Sequence, residues 1–174
     1  MQTWTHEESP LRASDGPRGP WDGEPDKAQW VDEATGLDCL IVRNHSGALC
    51  GYVGVPKGHP LYGMDYDEVH AAIPSLGVHG GLTFASTCDE DAPEGYGICH
   101  IPLPGRPADV WWLGFDTAHA FDYIPLVAHR MKAVISDPKL REHIDGGTYC
   151  PFDYVKRECE MLAAQIATHE AAQG

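Results

Sequence analysis

The feature that most constrains this chain lies near its C-terminus, where Pro151 is followed by Val155, Cys159, Leu162 and Ile166 at spacings of four, three and four. That period places four apolar side chains on one face of a helix, with Lys156, Arg157, Glu158 and Glu160 on its other faces. A narrow stripe flanked by charge reads as core packing, so the remaining chain must offer it a flat apolar partner roughly 25–30 Å long at 1.5 Å per residue. The upstream sequence is suited to that role. It consists of short β-rich runs punctuated by glycine and proline, 19 Gly and 14 Pro in all, which argues against a pure helical bundle. The expected class is α+β: a mainly antiparallel sheet of about five strands, with the long C-terminal helix and shorter helices packed on it.

Individual elements follow from local signals. Residues 38–43 and 48–55 are β-rich and separated by Asn44-His45-Ser46-Gly47, which predicts a hairpin ending at Pro56. Asp65 and Glu68 have capping-box spacing ahead of a short helix through 69–73, stopped by Pro74. Residues 78–85 predict a third strand and 97–101 a fourth. The aromatic run 109–116 predicts a fifth, central strand. The pattern then turns helical over 124–135, with Pro125 in the first turn, and Ser136-Asp137-Pro138 caps another short helix.

At 174 residues, with 12 Lys+Arg against 26 Asp+Glu and a formal charge of -14, the chain is expected to hold one acidic domain over 36–170. Residues 1–35 carry Pro10, Pro17, Pro20 and Pro25 without apolar periodicity and predict an irregular arm, pinned across the domain by Trp4, Trp21 and Trp30. Acidity on this scale repels phosphate backbones, so no nucleic-acid partner is expected. No apolar run approaches a membrane span and the N-terminus lacks the apolar core of a secretory signal, so a cytoplasmic protein without a membrane partner is expected. The six cysteines are scattered with no CxxC pair, which predicts free thiols. Cys39, Cys50, Cys99 and Cys159 sit in apolar runs as small hydrophobes, and Cys88 lies among acids that disfavour a thiolate.

Strand alternation yields a candidate site. His79, Gly81 and Thr83 share one face of the third strand, opposite Val78, Gly80, Leu82 and Phe84; Trp112, Gly114 and Asp116 share one face of the fifth. Gly81 and Gly114 suggest close approach of a ligand or another backbone, with Trp112 as a stacking wall. The fifth strand continues as Asp116-x-x-His119-x-x-Asp122. Imidazole and carboxylate are natural ligands for a hydrolytic divalent metal, zinc or similar, so His79, Asp116 and His119 are the candidate metal ligands. Asp122 would then orient an imidazole or activate water. A metal-free alternative uses Asp116 or Asp122 to orient His119 as general base on water or on the Thr83 hydroxyl. A purely structural reading has Asp116 capping the following segment and His119 bonding a carbonyl. His100 is read as structural, and His45, His59, His129, His143 and His169 as loop or helix-surface residues. The acids Asp89, Glu90, Asp91 and Glu94 read as a solvated loop lacking EF-hand spacing.

The segments Gly51-Tyr52-Val53-Gly54-Val55-Pro56 with His59-Pro60, His79-Gly80-Gly81-Leu82-Thr83-Phe84, and Trp112-Leu113-Gly114-Phe115-Asp116 with Ala118-His119 together resemble an uncharacterised family of small bacteriophage and actinobacterial proteins. The likeness covers residues 37–167. It implies a viral or mobile-element accessory gene acting in the host cytoplasm, and it assigns no role to individual positions. The leading expectation is a small-ligand-binding accessory protein with a candidate metal-dependent hydrolytic site. The alternatives are a non-catalytic protein sequestering a nucleotide or other metabolite against Trp112, and an acidic inhibitor of a host protein.

Overall fold

The computed structural model describes residues 1–89, 91–92 and 95–173. Its centre is one sheet of six strands: β1 (Gln2–Trp4), β2 (Lys27–Val31), β3 (Asp38–Arg43), β4 (Leu49–Pro56), β5 (Phe84–Ser86) and β6 (Val110–Asp116). The strand order is β1-β2-β3-β4-β6-β5 and every pairing is antiparallel. The helices are α1 (Tyr66–Ala72), α2 (Pro125–Val134), α3 (Pro138–Asp145) and α4 (Phe152–Gln173). The class is α+β, as expected. No helix among the described residues is long and apolar enough to cross a membrane.

The C-terminal stripe packs as its spacing predicts: Val155, Cys159, Leu162 and Ile166 are all fully buried, in one cluster with Ile41, Val53, Val55, Leu113 and Phe115 of the sheet. Gly51 explains how closely α4 rides on β4. A Cβ there would lie 2.5 Å from Phe115 Cζ and 2.6 Å from Cys159 Sγ, so the bare backbone makes room for both side chains. The Asp65–Glu68 capping box opens α1, Asp137 caps α3, and Pro125 starts α2.

Four expectations are corrected. The arm is not irregular throughout, because β1 and β2 extend the sheet at its edge. Burial of charge holds it there: Asp26 accepts from Arg12 at 2.9 Å and from Arg43 at 3.0 Å, Glu24 pairs with Arg43 at 2.9 Å, and Trp21 packs against Tyr123 and Tyr149. The third strand shrinks to β5, since Gly80 and Gly81 adopt φ of 67° and 87° and a pleated ladder does not admit two consecutive left-handed residues. Residues 97–101 form no strand. Their carbonyl and amide groups bond side chains of β2 instead: Lys27 donates to Cys99 O at 2.7 Å, and Ile101 N donates to Gln29 at 2.8 Å. Lastly, Cys88 and Cys99 form a disulfide, while Cys39, Cys50, Cys150 and Cys159 are free and buried. Of the acidic loop, Glu90 and Glu94 lie outside the described residues.

The second face of the sheet is covered too. Leu40, Cys50, Tyr52, Val110 and Trp112 form a cluster there, packed with Val42, Phe84 and Ile98. His100 stands edge-on to Trp112 with ring centroids 5.2 Å apart. Trp112 is therefore fully buried and presents no stacking wall to a ligand. Gly114 serves the same cluster: a Cβ there would fall 2.3 Å from Tyr52 Cδ1, so the open space is filled by a tyrosine ring. His59 is likewise buried rather than superficial, its Nδ1 accepting from Leu61 N at 3.1 Å.

Candidate functional site

The site is built where β6 ends. Thr117 ties this point to β4, its amide and hydroxyl both donating to Leu49 O at 3.1 and 2.9 Å. Asp116 therefore leaves the sheet at a fixed place. Its carboxylate accepts from the Thr83 hydroxyl at 2.8 Å and from Ala118 N at 2.9 Å, and it lies 3.3 Å from His119 Nδ1. Thr83 is thus engaged with Asp116.

One turn later the chain reverses tightly. Asp122 N donates to His119 O at 3.1 Å and the Asp122 carboxylate accepts from His119 N at 2.8 Å. Between them Phe121 takes φ of 77°, a conformation that a residue with a side chain adopts at a cost of about 1–2 kcal/mol. The reversal is held from outside: Thr148 N donates to Phe121 O at 2.8 Å and Tyr123 N to Thr148 O at 2.9 Å, a single parallel bridge between distant segments. That bridge carries Cys150 to the site, with Sγ 3.7 Å from Asp122 Oδ1.

His79 arrives from the turn before β5. Its Nε2 lies 3.0 Å from Asp122 Oδ2 and its Nδ1 lies 3.0 Å from the Tyr154 hydroxyl of α4. Its backbone amide donates to Glu158, one helical turn beyond Tyr154, at 2.8 Å. Next to it, Gly80 acts as a seat for the second imidazole. A Cβ at Gly80 would lie 1.6 Å from His119 Nε2, so only glycine lets that ring settle here, 5.6 Å from the His79 ring.

The midchain imidazole and the downstream cluster therefore meet. The donor atoms that converge are those of His79, Asp122 and Cys150, all within 4.8 Å of one another. Asp116 and His119 form a neighbouring pair, and Asp122, expected to orient an imidazole or activate water, lies against the His79 imidazole and within the group that could hold an ion. Nitrogen, oxygen and sulfur are the donor types zinc prefers, and the three come from separate segments, so the residues fit a tetrahedral ion with one position left over. Burial, then the Asp122 charge, pushes the Cys150 thiol up to about 12, so without a metal it is a neutral thiol. Burial followed by Glu158 also raises the Tyr154 phenol, which keeps its proton. Without a metal, Asp122 accepting from Nε2–H leaves His79 Nδ1 to accept from Tyr154; with Nε2 given to an ion, Nδ1–H would instead donate to the Tyr154 oxygen.

Three contributors were absent from the sequence reading. Cys150 has no local signal, because a β-bridge 28 residues from Asp122 brings it in. Tyr154 and Glu158 had one, a polar pair at a spacing of four beside the α4 stripe, but a polar pair there reads equally as surface. Gly81 takes φ of 87°, and a Cβ there would meet its nearest atom, His70 Nε2, only at 3.7 Å. No protein-family model, curated protein or solved structure matches the chain.

Proposed function

We propose that this chain is a small-ligand-binding accessory protein of phage type with a metal-dependent hydrolytic centre, in which His79, Asp122 and Cys150 hold a divalent ion such as zinc. The observation that carries the reading is the convergence of Nε2, Oδ and Sγ from three separate segments within 4.8 Å. An ion there would supply Lewis acidity toward a substrate carbonyl and lower the pKa of water. The chain's own groups do the rest. Tyr154 and Glu158 hold the His79 ring and its backbone from outside, as partners of a ligating histidine commonly do. His119, oriented by Asp116 and seated on Gly80, stands ready to take a proton from water and return it to the leaving group.

A metal-free reading draws on the 3.0 Å contact between His79 and Asp122, which is that of an imidazole oriented by a carboxylate for general-base work. One experiment separates the two. Protein dialysed against zinc and then buffer should retain about one ion per chain by elemental analysis, with Cys150→Ala and His79→Ala retaining almost none. Equal retention by wild type and both variants, or none by wild type, rejects the metal reading; an unaltered fold is checked by circular dichroism. The nucleotide-sequestering alternative loses its platform because Trp112 is buried.

A further inference from the structure

Beside Asp122 a groove of about 870 Å³ opens between α2 and α3. That lies in the range of small-molecule sites, roughly 300–1,000 Å³. Its walls are apolar and incompletely covered: Phe121, Ile124, Val127, Met131 and Ile144 face it, with Met131 41% and Phe121 86% exposed. The two helices leave these side chains half-buried or exposed, and α3 buries none of its own residues. Gly146, Gly147 and Asp122 also line the groove, so it borders the candidate centre at Asp122.

Charge narrows the ligand. Lys139 and Glu142 both border the groove and offset one another, His143 adds an imidazole, and the Asp122 carboxylate is already engaged by His79 and His119. The lining therefore holds no cluster of one sign, and the overall charge of -14 repels anions at long range. We infer that the groove between α2 and α3 binds an uncharged, largely apolar small molecule, an ester or amide of an aliphatic or aromatic acid, with its cleavable bond toward Asp122. The binding needs no metal; that the bound molecule is a substrate rests on the function proposed above. Cleavage adds water across the acyl bond and releases a carboxylic acid with an alcohol or amine, so no further reactant is required.

Nile red, a neutral apolar fluorophore, is the binding probe for metal-free protein, and 4-nitrophenyl octanoate with zinc-loaded protein is the activity probe. Nile red is expected to bind at one site, about tenfold tighter than the anionic 1-anilinonaphthalene-8-sulfonate. A charge placed in the groove by Met131→Asp or Ile144→Asp should weaken Nile red binding at least about tenfold. Val134→Asp is the control: it makes the same charge change on α2 at a side chain 81% exposed and outside the groove lining, and should alter binding less than about twofold. Nile red affinity unchanged in both groove variants overturns the inference, as does tighter binding of the anionic dye. A dimer in sedimentation that closes the groove and excludes Nile red overturns it as well. Retained Nile red binding without zinc-dependent ester cleavage leaves the groove assignment standing and rejects the hydrolytic reading alone.

Discussion

At the scale of single residues, the candidate centre depends on side chains that touch no donor atom but fix those that do. Tyr154 is the clearest. Its hydroxyl is 3.0 Å from His79 Nδ1 and the opposite ring nitrogen faces Asp122, so with a metal on Nε2 the imidazole would carry its proton on Nδ1 and donate it to the phenol oxygen, which fixes the ring orientation. Removing such an outer partner typically lowers metal affinity 10–100-fold. Tyr154→Phe keeps the ring and its packing while deleting the hydrogen bond, so zinc affinity should fall by about that factor at near-constant stability, measured by competition with a chromophoric chelator. An unchanged affinity removes Tyr154 from the centre. Glu158→Gln, which preserves an acceptor for the His79 amide, should retain affinity within about threefold. Much at this scale was readable beforehand. The Asp-x-x-His-x-x-Asp array and His79 were visible because their residue types are chemically distinctive. Cys150 was not, since nothing within several residues of it differs from an ordinary buried cysteine.

At the scale of elements, legibility follows from whether the signal is local. The helices α1 to α4 announce themselves through caps, first-turn prolines and period, all of which act within a few residues. The segments 78–83 and 97–101 were misread because apolar composition resembles a strand whether or not a partner exists to complete the ladder. In the first, left-handed glycines bend the chain; in the second, Lys27 and Gln29 satisfy the backbone from the side. The second segment is also clasped by Cys88–Cys99, two cysteines 11 positions apart whose pairing no spacing rule indicated. Closing a loop of that length restricts the unfolded chain by about 3 kcal/mol. Reduction, or the pair Cys88→Ser and Cys99→Ser, should therefore lower stability in urea by about 2–3 kcal/mol. The cover over Trp112 and His100 should loosen first, seen as faster amide exchange across 96–101. A urea midpoint unmoved by reductant shows that the bond carries no such constraint.

Across the whole molecule, the sheet is unusual in being covered on both faces, by α4 on one side and by the clasped loop on the other, and this double burial governs its response to alkali. Thiols and the Tyr52 phenol are enclosed between the layers. Burial raises Cys50 to about 11, raises Cys39 and Cys159, and raises Tyr52 in the same direction. For Cys50 the unfolded chain begins to release its proton near pH 9 and the folded chain only near 11, so between these values the unfolded state binds fewer protons and stability must fall as pH rises. Below pH 9 the stabilisation is complete, and above 11 this group has no more to lose. The urea midpoint should accordingly be flat from pH 7 to 9 and decline from 9 to 11. Cys50→Val replaces the titrating group with an apolar one of similar size, so it should lessen the slope of that decline while shifting the neutral-pH midpoint only slightly. A slope identical in the variant would place the alkaline sensitivity in the Tyr52 phenol or the other thiols, and would mean that the layer between β4 and its loop cover admits water more readily than its packing implies.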